Sequence, residues 1–272
     1  MDNLKGNRLT GKNVVVTGAG SRETGYGIGQ AISILFASQG AKVLVVDSDK
    51  DRGDRTVSKI LNNGDIASLC LADVSKSSEC KKVIENIITN YGSLDVLINN
   101  VGVGSSGSVV DIDENKYERV MDTNLKSMVY MSKFAIPSMI KNGGGSILNM
   151  SSFVAIRSGG FGPAIPYALS KAGVMALTQQ MCHDHGPDGI RVNCIAPGHV
   201  YTSMVADRVD SQMRDLRRKA APLQIEGTAW DVAWAALFLS SDEARWISGV
   251  TLPVDAGLLT ASPISMLNRL TN

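Results

Sequence analysis

The sequence predicts an α/β fold, a doubly wound parallel sheet of about seven strands with helices on both faces. Three observations predict it. Short apolar runs rich in β-branched residues alternate with longer segments of helical period along most of the chain. A glycine-rich turn, Gly18 to Gly29, separates the first strand-like run from the first helical one. No repeat, low-complexity tract or linker breaks the alternation, so residues 1–272 are read as one domain.

The elements follow in order. Val14-Val15-Val16-Thr17, flanked by Gly11 and Gly18, reads as a buried strand over 13–17. Ile28, Ala31, Ile32, Leu35 and Phe36 then recur at helical spacing up to Gly40. Further strands are expected at 42–47, 68–71, 96–99, 146–151, 191–195 and 251–254, with helices between them. Gly143-Gly144-Gly145 is a turn before a strand, not a hinge. Residues 202–227 are polar and carry Arg208, Arg214, Arg217, Arg218 and Lys219, which suits a solvated helical pair.

Strand, glycine turn and helix together can cradle a dinucleotide pyrophosphate. Glycines let the backbone approach the phosphates, and the helix N-terminus adds partial positive charge. The second strand ends in Asp47, 18 residues past Gly29. A carboxylate at about that distance accepts hydrogen bonds from the adenosine ribose. It also repels a 2′-phosphate, which favours NAD over NADP. Arg22, inside the turn, is the residue that could reach a phosphate and reverse that preference.

Tyr167 and Lys171 stand four apart on a helical stretch and share one face. A phenol has a reference pKa of about 10, and a fixed ammonium beside it favours the phenolate. Such a pair can exchange a proton with an alcohol or a carbonyl.

With these motifs in order, the chain resembles the short-chain dehydrogenase/reductase family over about residues 12–257. The resemblance implies a Rossmann-like fold and a cofactor contact set of Gly18, Gly20, Gly27, Ile28, Gly29, Asp47, Asp73, Val74, Asn100, Gly102, Tyr167, Lys171, Pro197, Gly198, Val200 and Thr202. Asn99-Asn100-Val101-Gly102 departs from the family's Asn-Asn-Ala-Gly by its valine. A catalytic set of Asn124, Ser152, Tyr167 and Lys171 is implied as well. In it Ser152 orients the substrate oxygen, Tyr167 is the general acid and base, Lys171 lowers its pKa, and Asn124 anchors a water of a proton relay. Two departures stand out. The glycine turn is about five residues longer than the family pattern. Ser152 and Tyr167 lie 15 positions apart, about two more than is common, and Ser151 competes with Ser152 for the catalytic place.

The family also implies that 202–227 covers the substrate as a lid, and that the chain is a homo-oligomer, commonly a tetramer. Val103, Val154, Phe161, His199, Met204 and Val205 are the pocket candidates, an apolar set with few polar handles. The expected activity is NAD-dependent hydride transfer to or from a secondary alcohol or ketone. Alternatives are an NADPH-dependent 3-oxoacyl or other ketone reductase, and a cofactor-binding sensor without turnover.

Composition sets limits. Lys and Arg number 27 against 26 Asp and Glu, so the net charge of +1 gives no nucleic-acid footprint. No apolar run is long enough for a membrane span, the first residues do not open a signal peptide, and the expected compartment is the cytoplasm. Cys70, Cys80, Cys182 and Cys194 lack metal-type spacing, so no metal is expected. Cys70 and Cys194 fall in expected strands and read as buried free thiols.

Overall fold

The computed structural model describes residues 4–22, 25–158, 162–262, 264 and 266. Its main sheet contains β1 (Asn13–Thr17), β2 (Lys42–Asp47), β3 (Ile66–Leu71), β4 (Val96–Asn99), β5 (Gly145–Met150), β6 (Ile190–Pro197) and β9 (Thr251–Val254). All neighbours are parallel, in the order β3-β2-β1-β4-β5-β6-β9. The strand order therefore reverses between β1 and β4. In a doubly wound sheet that reversal opens a crevice at the carboxyl ends of the strands.

The helices are α1 (Ile28–Ser38), α2 (Lys50–Asn62), α3 (Ser77–Tyr91), α4 (Glu114–Met121), α5 (Ser127–Lys141), α6 (Ile165–His185), α7 (Ser211–Lys219) and α8 (Ala229–Ser240). A parallel sheet is covered on both faces, so its strands are apolar throughout rather than alternating. Val14 and Val16 join one core with Ile32, Leu35 and Phe36 of α1 and Val232 and Leu237 of α8. Val15, between them, points to the opposite core with Ile84 and Ile87 of α3 and Met131 and Met139 of α5. Every residue of α1 from Gly29 to Ser38 is buried, which marks a helix enclosed on all sides.

Four strands match the expected bounds and three are shifted. β3 begins at Ile66, two residues early, because it is an edge strand. Ile66 and Leu71 are more than half exposed there, so burial left little pattern to read. β5 starts and ends one residue early, and β6 runs on to Pro197. Two elements were not anticipated. β7 (Val200–Tyr201) pairs in parallel with β8 (Gly227–Thr228) and pins together the two ends of the segment that holds α7. The π-helical turn Asp122–Lys126 joins α4 to α5. Among the described residues no helix is long and apolar enough to cross a membrane.

Candidate active site

The glycine turn after β1 is tied down from three directions. The Asn100 amide nitrogen donates to the Thr17 and Gly18 carbonyls at 3.1 and 3.0 Å, and its backbone N–H donates to Thr17 Oγ1 at 3.0 Å. Asn100 thus fastens the end of β4 to the turn, and its side-chain donors are committed there. Asp47 Oδ2 accepts from the Gly20 N–H at 2.8 Å, and Oδ1 accepts from the Asp49 N–H at 3.0 Å. Ser21 Oγ accepts from the Gly27 N–H at 3.1 Å. Gly27 is the N-cap of α1, and no side chain caps that helix. The first-turn amides of α1 have no intrahelical acceptor, so they present donors at the head of the turn.

Two positions of this turn admit only glycine. A Cβ on Gly20 would lie 2.6 Å from both Asp47 Oδ2 and Arg52 Cβ. A Cβ on Gly29 would run into the Gly18 carbonyl oxygen and lie 2.6 Å from the Asn100 amide nitrogen. Bare backbone is required where a large anion must approach closely. Gly18 has φ of +60°, a left-handed conformation that favours glycine.

Arg22, the residue that could reach a phosphate, has a partner within the protein. Its guanidinium forms an ion pair with Asp207, on the segment after Thr202. Arg55 of α2 instead holds the turn, donating to the Ser21 carbonyl at 3.0 and 3.2 Å. The Asp73 carboxylate accepts from the Ser75 hydroxyl at 2.7 Å and the Ser75 N–H at 3.1 Å. Burial works against its ionisation, but these bonds and Lys76 outweigh it and hold the carboxyl below its usual range. Val74 is buried in the core shared with α3.

The second half of the site lies after β5. Ser151 Oγ donates to the Lys171 carbonyl at 2.7 Å and is fully engaged in packing loop to helix. Ser152 is the serine near the tyrosine: its hydroxyl lies close enough to the Tyr167 phenol to favour the ionised form. The engagement of Ser151 with Lys171 leaves Ser152 as the serine facing the tyrosine. Tyr167 lies in the first turn of α6, which begins with Pro166 near its N-terminus, where the missing N–H costs nothing.

Burial pushes the Tyr167 phenol above its ordinary value, and the nearby Ser152 hydroxyl only partly offsets this. The expected lowering by Lys171 does not prevail, because desolvation of the phenolate is the larger effect. Lys171 Nζ lies 5.9 Å from the tyrosine ring centre and donates to the Met150 carbonyl at 2.7 Å. Complete burial pulls its own pKa down to about 8.

Asn124 sits in the π-helical turn and is fully buried. Its Oδ1 accepts from the Val103 N–H at 2.7 Å, and Nδ2 donates to the Val103 carbonyl at 3.0 Å and to Ser170 Oγ at 3.1 Å. These bonds fasten the Asn124 side chain to Val103 and to α6. A Cβ on Gly102 would lie 3.3 Å from Lys171 Nζ and 3.6 Å from Asn124 Oδ1, so this strip of backbone passes directly over the lysine.

Beyond β6, Pro197 and Val200 are buried, and a Cβ on Gly198 would lie 2.6 Å from Asp255 Cβ. Thr202 is also buried. His199 packs edge-on against Phe153 with ring centres 4.8 Å apart. It shares a small cavity with Tyr201, Arg214, Arg217 and Glu226. Burial first, and then Arg217, lower its pKa to about 4, so the ring is neutral. Among the other pocket candidates Val103, Val154 and Val205 are half-buried, Met204 is half-exposed, and Phe161 lies outside the described residues. Sequence reasoning missed Ser21, Ser203, Arg55 and Ser170. Only Ser170 had a signal, since it lies inside the Tyr167–Lys171 motif. The other three become partners only when distant loops meet.

All four cysteines are free, with Cys80 and Cys194 buried and Cys70 only half-buried at the edge strand. No group of three potential metal ligands occurs among the described residues.

Comparison with known proteins agrees with this geometry. A family model described as enoyl-(acyl carrier protein) reductase matches residues 23–259. A (+)-borneol dehydrogenase of Salvia officinalis is 37% identical over 267 residues, covering 94% of this chain and 92% of that protein. A 3-oxoacyl-[acyl-carrier-protein] reductase of Thermotoga maritima is 34% identical over 252 residues, 93% of this chain and 99% of the relative. A 7α-hydroxysteroid dehydrogenase solved with NADH and 7-oxo glycochenodeoxycholic acid superposes with a TM-score of 0.85 at 34% identity, covering 94% of this chain and 96% of that one. Near-complete coverage, the reversed parallel sheet and the Ser152–Tyr167–Lys171 grouping lead to one conclusion: the chain belongs to the short-chain dehydrogenase/reductase family of nicotinamide-dependent oxidoreductases.

Proposed function

We propose that this protein transfers a hydride between NAD(H) and a secondary alcohol or ketone. The observation that carries the reading is the grouping of Ser152, Tyr167 and Lys171: the Ser152 hydroxyl is close enough to the Tyr167 phenol to favour its ionised form, and the buried Lys171 Nζ lies 5.9 Å from the tyrosine ring centre. Two neighbouring hydroxyls can converge on one substrate oxygen. Ser152 positions that oxygen, and Tyr167 supplies a proton to a carbonyl or takes one from an alcohol. Because burial favours the neutral phenol, Tyr167 is poised as the acid near neutral pH, and oxidation gains as pH rises. The nicotinamide, when bound, carries the hydride. Lys171 supplies positive charge beneath the site and Asn124 fixes the Val103 strip over it. Gly18, Gly20, Gly27, Ile28, Gly29, Gly102 and the 197–202 segment hold the cofactor, and 202–227 covers the substrate. The expected form is a cytoplasmic homo-oligomer of single-domain subunits.

Asp47 supports NAD. Its carboxylate stands at the end of β2 beside the turn, where a ribose would present its hydroxyls. One observation favours a second reading, an NADPH-dependent 3-oxoacyl reductase: Arg52 lies against the same Gly20 and pairs with Asp49 at 3.1 Å, within range to turn towards a 2′-phosphate. Titration with NADH and NADPH separates the two. Tighter NADH supports the first reading, and tighter NADPH replaces it with the second. A panel of secondary alcohols and ketones then tests turnover. Tyr167→Phe should abolish turnover while cofactor binding stays near normal; retained turnover removes Tyr167 from the mechanism.

A further inference from the structure

We propose that Ser21 and Ser203 form a clasp across the cofactor groove that sets how fast the nicotinamide cofactor leaves; this rests on the cofactor site inferred above. The glycine turn after β1 is longer than the family pattern, and its Ser21, Arg22 and Tyr26 meet the chain that follows Thr202. Ser21 Oγ and Ser203 Oγ lie 3.0 Å apart, and both residues are buried. The Ser203 N–H donates to the Tyr26 carbonyl at 3.4 Å. Outside this buried contact, Arg22 pairs with Asp207.

Topology gives the contact its meaning. β4 and β5 lie between β1 and β6 in the sheet. A loop after β1 can touch the segment after β6 only by spanning the carboxyl ends of the strands between them. That span crosses the reversal point between β1 and β4, where a doubly wound sheet binds its ligand. The Ser21 side of the clasp is fixed, because its hydroxyl accepts from the Gly27 N–H and its carbonyl accepts from Arg55. The Ser203 side belongs to the segment pinned by β7 and β8. Opening the groove therefore moves the Ser203 side, and the cofactor leaves when the hydroxyl bridge breaks. The buried bridge dominates, since an exposed ion pair such as Arg22–Asp207 contributes little.

The test is stopped-flow release of NADH and NADPH from the full-length protein, chased with excess oxidised cofactor. Ser203→Ala should raise the off-rate of the tighter-binding nucleotide about fivefold, the effect of one buried hydrogen bond. A purely structural role would lower the melting temperature of the cofactor-free protein and leave the off-rate alone, which overturns the proposal. A Ser21→Cys/Ser203→Cys double variant, oxidised with nucleotide bound, should slow release at least tenfold, and a reductant should restore it. Release from the cross-linked form at the wild-type rate overturns the clasp while the cofactor site stands. Failure of the wild-type protein to bind either nucleotide overturns the site itself, and the clasp with it.

Discussion

The carboxylate of Asp47 accepts a hydrogen bond from the Gly20 N–H at 2.8 Å, so the acid at the end of β2 shapes the glycine turn as well as facing its mouth. Two roles therefore meet in one side chain, and they can be separated. Asp47→Asn keeps an acceptor for Gly20 but removes the charge. The turn should stay folded, while the NADP/NAD affinity ratio rises tenfold or more, about 1.4 kcal/mol. Equilibrium titration of both cofactors measures it. An unchanged ratio would make Asp47 a turn residue only.

Gly29→Ala sets two effects against each other. Alanine is better than glycine inside a helix by about 1 kcal/mol. The new methyl group, however, meets the Gly18 carbonyl, and α1 is buried on all sides and cannot shift away. Overpacking of this kind costs about 1–3 kcal/mol. The clash should win, giving net destabilisation of up to about 2 kcal/mol in urea unfolding without cofactor. A more stable variant would show that the turn yields.

Lys171 is a charged group in a fully buried place, with its pKa lowered to about 8 from 10.5. Across the window from 8 to 10.5 the unfolded chain holds the proton and the folded chain does not. Stability from this group therefore rises with pH through that window, and below it the ammonium costs about 3 kcal/mol. Lys171→Met should abolish turnover yet be more stable than the wild type at pH 7 by about 1 kcal/mol or more, less than the full amount because the Met150 carbonyl loses its donor. The advantage should shrink towards pH 10. The difference between the two unfolding curves is the readout, since shared groups such as Cys80 cancel. A constant difference would sink the assignment.

Ser151 and Ser152 are neighbours with different tasks. Ser151→Ala loses a buried bond to the Lys171 carbonyl and should cost about 1 kcal/mol of stability, with a small effect on turnover. Ser152→Ala should leave stability nearly unchanged and lower kcat by about 10²–10³, the scale seen when a positioned donor to a reacting oxygen is removed. Paired denaturation and steady-state kinetics decide, and the reverse pattern would exchange the two roles.

Much of this arrangement was legible in the chain. The β-branched runs at β1, β2 and β4 matched the expected bounds because central parallel strands are apolar on both faces. The start of β3 was not legible, since an edge strand leaves Ile66 half exposed. The glycine turn, Asp47, Tyr167 and Lys171 could be picked out because their spacing is local and each residue type has a narrow chemistry. The fate of Arg22 could not, because its partner Asp207 is 185 positions away.

The sequence by itself determined the α/β alternation, the glycine turn at the head of α1 and the placing of Tyr167 and Lys171 on one helix, since each depends on contacts within a few residues. Only the tertiary structure decided which serine meets the tyrosine, how Asn124 spends its hydrogen bonds, and that burial rather than the lysine dominates the tyrosine pKa. Desolvation and long-range hydrogen bonds depend on what packs around a group, and that is set by every strand and helix at once.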